Sequence, residues 1–118
     1  MKDFIVGFEA EPEIRFSETH NGEPVDTVRM WEGYFDELMG LLVAGPDGWS
    51  GLALQYNLVT GWYVSPSWRV PDLQNTVAEW KSISTDDLDT EVRLAHSAVL
   101  DLLEHARRAG HSVSIECL

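Results

Sequence analysis

Four histidines, one cysteine and twenty carboxylates are the side chains of this sequence that could hold a metal or move a proton. Metal capture by neighbouring ligands needs a fixed spacing, such as two histidines four apart on a helix. His20, His96, His105 and His111 contain no such pair, and Gly110 separates His105 from His111 into different elements. His96 lies beside the apolar stripe of a helix, where a histidine faces solvent or is hydrogen-bonded within the fold. Cys117 has only His111 nearby to favour a thiolate, and a lone thiol usually acts as a small hydrophobe. No serine occupies a nucleophile elbow. Gly45-Pro46-Asp47-Gly48 lacks the following lysine and helix of a phosphate-binding loop. Carboxylates are too abundant to single out one acid–base pair. The expectation is a binding protein with no catalytic residues, no metal and no cofactor.

Acids and tryptophans stand out instead, and they are segregated. Residues 1–40 carry ten acids against Lys2, Arg15 and Arg29, whereas residues 41–80 carry only Asp47, Asp72 and Glu79 but four of the five tryptophans. Trp31 and Trp80 fall at helical spacing with other apolar residues and are expected in the core. Trp49 and Trp68 lie in loops rich in Pro, Gly and Ser, where a tryptophan near acids can anchor a protein interface. Arg29, Gly33, Asp36 and Gly40 form a helical stripe opposite the apolar face, with Glu32 beside it. Its two glycines either let a partner backbone approach or serve tight packing or a kink within the chain. The expected partner-binding residues are Glu32, Asp36, Asp47, Trp49 and Trp68; Glu18 is expected at the rim.

These residues must be positioned by a small set of elements. Phe4–Phe8 and Ile14–Ser17 read as two strands of a hairpin, and His20-Asn21-Gly22-Glu23-Pro24 as a turn. Val28, Trp31, Phe35, Leu38 and Leu42 mark a helix over about 27–43, with Asp26 as its N-cap. Leu52–Tyr56 and Trp62–Val64 alternate as strands, and Pro66 and Pro71 bracket a segment unsuited to a sheet centre. Leu73, Val77 and Trp80 fit a short helix. A long helix over 86–109 follows, capped by Ser84 or Thr85 and ended by Gly110, and Val113 and Ile115 then alternate in a strand lying inside the sheet. Together these give an α+β fold, a small mainly antiparallel sheet with two principal helices packed on one face.

The 118 residues make one acidic domain, with 44% hydrophobic and 24% charged residues and a net charge of −12. That charge excludes the basic footprint of a nucleic-acid or anionic-membrane binder. The N-terminal stretch is too short for a secretory signal, no apolar run approaches a membrane span, and a free thiol fits a reducing compartment, so a cytoplasmic location is expected.

Gly33-Tyr34-Phe35-Asp36-Glu37-Leu38-Met39-Gly40-Leu41-Leu42 resembles the inhibitory helix of barstar-type ribonuclease inhibitors, and Val99–Glu116 resembles that family's last helix and strand. Asp36 matches the aspartate that plugs the nuclease active site, while Met39 and Gly40 stand where the family carries tryptophan and a second aspartate. The resemblance implies a bacterial immunity protein of the toxin–antitoxin or polymorphic-toxin kind, small, cytoplasmic and non-enzymatic. Its partner would be a basic toxin domain directed at nucleic acid, drawn to the acidic surface by long-range attraction. Three other readings remain open on the sequence: an acidic nucleic-acid mimic that inhibits a defence nuclease, a small-ligand or peptide-binding module using the tryptophan-rich hairpin, and an enzyme with a carboxylate pair.

Overall fold

The computed structural model describes residues 2–5, 7–8, 10–42, 67–70 and 72–117. Alternation of Ile14 and Phe16 builds β2 (Glu13–His20), and alternation of Val28 and Met30 builds β3 (Glu23–Trp31). A two-residue turn joins them: Asn21 and Gly22 adopt φ of 51° and 82°, and His20 pairs with Glu23. Positive φ at both positions matches the twist of the flanking strands, which is why Asn-Gly suits this turn. The tight hairpin takes one edge of β2, and β5 (Ser112–Cys117) takes the other. β1 (Lys2–Phe4) therefore does not form the expected hairpin with β2. It lies parallel to β3, with Phe4 opposite Met30. With β4 (Ser67–Arg69) on the far side of β5, the strand order is β1-β3-β2-β5-β4. The sheet is mainly antiparallel, and β5 is internal as its sequence context implies.

Helix α1 spans Glu32–Met39, shorter than the expected 27–43. Val28 and Trp31 belong to β3, and Asp26 pairs with Glu18 within the sheet instead of capping a helix. Thr27 and Val28 are β-branched, and pairing with Ser17 and Phe16 of β2 holds their backbone extended despite the helical spacing. The helix begins without a side-chain cap, while the Glu32 N–H donates to the Pro12 carbonyl at 3.0 Å. Gly33 is needed for space: a Cβ there would lie 2.4 Å from the Trp31 ring. Its role is internal packing, and Arg29 is in β3, so the proposed open stripe along one helix does not exist.

Helix α2 (Leu73–Lys81) is capped by the Asp72 carboxylate, which accepts from the Asn75 N–H at 3.0 Å. Helix α3 (Thr90–Ala109) begins at N-cap Asp89, later than expected, because residues 86–88 form a turn that still buries Leu88. Its C-terminus is Gly110 at φ 72°, followed by the His111 N–H donating to the Ala106 carbonyl. Phe16, Val28, Met30, Val113 and Ile115 from the sheet meet Phe35, Leu38, Val77, Trp80, Val99 and Leu103 from the helices in one core. Trp80 is fully buried there. Its Nε1–H donates to the His96 carbonyl at 3.0 Å, and His96 Nε2 donates to the Trp80 carbonyl at 2.8 Å, so His96 is hydrogen-bonded within the fold.

Candidate partner-binding surface

The alternation that buries Met30 turns Trp31, the last residue of β3, away from the deepest core. The Trp31 ring stacks on Phe8, with centroids 4.0 Å apart and planes within 2°, and Tyr34 packs edge-on to both. All three rings are half-buried. Trp31 is therefore part of a surface aromatic cluster, where helical spacing had suggested core.

Acids lie near the Tyr34 side of this cluster. Glu32 and Asp36 lie one turn apart on α1, the spacing at which helix side chains are neighbours. Burial raises the Glu32 carboxyl above its ordinary pKa, and the Asp36 charge adds to the effect. The Tyr34 hydroxyl is raised too, by burial first and then by the charges of Glu91, Asp89 and Glu37. The start of α3 thus brings its carboxylates to the same aromatic group that α1 presents. Of the expected binding residues, Glu32 and Asp36 come together here. Trp68 lies in β4, paired with Ile115 at the other edge of the sheet from β1. Asp47 and Trp49 lie outside the described residues, as do the strands expected over 52–64.

The surface gains three participants that sequence reasoning placed elsewhere or passed over. On sequence alone, Phe8 stands at the end of a strand and Trp31 in the core, and Tyr34 enters only through the helix motif. The available signal was the run Trp31-Glu32-Gly33-Tyr34, which sets two aromatics around a residue with no side chain, so that one ring can lie across the backbone.

Glu18 is a correction of a different kind. Expected at the rim, it is 1% exposed. It follows Ile14 and Phe16 in the period of two, so β2 turns it toward the helices. Its Oε2 lies 2.6 Å from His105 Nδ1 and 2.6 Å from His111 Nδ1. The Gly110 turn reverses the chain between those histidines, so belonging to different elements brings them together instead of separating them.

No helix among the described residues is long and apolar enough to cross a membrane. No family model, curated protein or solved structure matches this chain.

Proposed function

We propose that this protein is an immunity-type inhibitor, an acidic and non-enzymatic binder that works in the cytoplasm. It would neutralise a basic toxin domain acting on nucleic acid by occluding the toxin's active site. The observation that carries this reading is the Phe8–Trp31–Tyr34 cluster, with the charges of Glu37, Asp89 and Glu91 acting on Tyr34 and the neighbouring acids Glu32 and Asp36 on the same helix. Gathering like charges costs stability in the free protein, and a cationic partner relieves that cost on binding. Aromatic rings beside the charges supply apolar burial with little conformational entropy to lose, the combination found at interface hot spots. The net charge of −12 extends the attraction beyond contact range and accelerates encounter with a basic cleft. The resemblance of residues 33–42 to the barstar-type inhibitory helix points the same way, since Asp36 lies within this surface.

The test begins with capture of the partner from the native host and its identification. Its affinity is then measured at two salt concentrations for wild type, Asp36→Ala and Glu37→Ala. Asp36→Ala is expected to weaken binding by about 2–5 kcal/mol where its carboxylate meets a buried partner cation. Exposed Glu37 should act mainly on the association rate, and raised salt should weaken the wild type. A partner that is not basic, or binding that neither salt nor these substitutions alter, rejects the reading.

A further inference from the structure

We infer that Glu18, His105 and His111 form a binding site for a divalent transition-metal ion of the zinc class. The inference is independent of the proposed toxin-binding surface and departs from the expectation of no metal. Its basis is convergence. The two imidazoles come from the last turns of α3 and the entry to β5, yet both aim Nδ1 at the same carboxylate oxygen, each at 2.6 Å. One donor atom from each of the three residues lies within 4.8 Å of the others. Two imidazole nitrogens and one carboxylate oxygen suit zinc and its neighbours, whereas magnesium and calcium prefer all-oxygen shells.

The fold holds this donor set in place. Glu18 sits at a register irregularity of β2, between the Glu18 and Thr19 pairings with β3. Such bulges re-aim a side chain. The Gly110 turn and the bond from the His111 N–H to the Ala106 carbonyl fix His111 beside the helix end that bears His105. His20 packs against the His111 ring, with centroids 4.6 Å apart, and flanks the site without completing it. The His105 side chain is 56% exposed, which leaves an approach from solvent and room for water as a fourth ligand.

Without metal, each Nδ1–H donates to Glu18 Oε2. With metal, each ring carries its proton on Nε2 and offers the Nδ1 lone pair. Ligand atoms in a tetrahedral zinc site with bonds of about 2.0–2.2 Å stand about 3.4 Å apart. Opening the present 2.6 Å contacts to that spacing takes less than about 1 Å of movement per ring, well within side-chain rotation.

The full chain, stripped of metal with a chelator, is titrated with zinc chloride by calorimetry and followed by thermal melting. Cobalt(II) is used in parallel for its visible absorption. One zinc per chain, a raised melting temperature reversed by chelator, and no effect of magnesium are expected. His105→Ala and His111→Ala should each weaken zinc binding by more than about tenfold, since loss even of a supporting residue costs that much. His105→Ala removes an exposed ring, so folding should persist, and Glu18→Gln keeps a hydrogen-bond acceptor while removing the charge. Glu18→Gln should lose zinc, and His20→Ala should retain one site. Failure of the wild type to take up zinc overturns the inference, as does uptake that survives both His105→Ala and His111→Ala.

Discussion

Glu13 and Glu18 are the same residue on the same strand, five positions apart, and they lead opposite lives. Glu13 faces away from the helices. Arg29 grips it with two hydrogen bonds, Nε to Oε2 at 2.7 Å and an Nη to Oε1 at 2.8 Å, and Arg15 lies 3.6 Å from Oε2. The Arg29 hydrogen bonds and charge hold its carboxyl below the usual range, against the opposing effect of burial. Glu18 faces the helices and is held by two imidazoles. A guanidinium is a permanent cation that can only pair, whereas an imidazole can exchange protons and ligate metals. The choice of partner, more than the carboxylate, decides whether an acid is a clamp or a site.

Removing each carboxylate tests that contrast, and the larger effect belongs to Glu18. Glu18→Ala removes a buried acceptor shared by two donors and leaves a void beside the core, so a loss of about 2–4 kcal/mol is expected in urea unfolding. A loss no larger than that from Glu13→Ala would erase the distinction between the two faces. Glu13→Ala should cost about 1 kcal/mol, because its bidentate partner is partly solvated.

The pH dependence sharpens the comparison further. Glu13 has a lowered folded pKa, so its stabilisation is complete above the unfolded carboxylate range and disappears as pH falls through the folded value. The stability gap between wild type and Glu13→Gln should therefore close on acidification. Glu32 has the opposite sign. Its raised pKa means that the folded state binds the proton more tightly, so stability falls as pH rises from the unfolded value through the folded one. Glu32→Gln should be more stable than wild type by a few tenths of a kcal/mol near neutrality, a small effect because the group is partly solvated, with the gain vanishing in acid. A gap that widens on acidification in either variant would contradict the assigned cause.

The parts of the fold that could be read from sequence were those encoded locally. Gly110 ended α3 because left-handed backbone favours glycine, and Val113 and Ile115 marked β5 because alternation is visible over a few residues. Asn21-Gly22 specified its turn for the same reason. Local pattern misleads where distant partners decide. Phe4 announced a strand, but nothing local says that it should pair with Met30 instead of β2. Val28 and Trp31 fit helical spacing, and only the ladder with β2 makes them extended. The Glu18 cluster needed contacts across 87 and 93 residues. Its one local sign was the continuation of Ile14 and Phe16 to Glu18, an acid in an inward-facing position.

The internal position of β5 also bears on how the chain is assembled during synthesis. It is made after every other described element, yet it lies between β2 and β4. Until it emerges, the edge of β2 that it covers stays open, and β4 lacks the one partner it has among the described residues. The hairpin of β2 and β3 can form early because its contacts are local, whereas the finished sheet must wait for distant pairing. A nascent chain stalled before residue 112 would therefore expose the inner edge of β2, the part of the sheet most able to pair with another chain. Translation past β5 is thus the step that covers the exposed edge of an aggregation-prone hairpin.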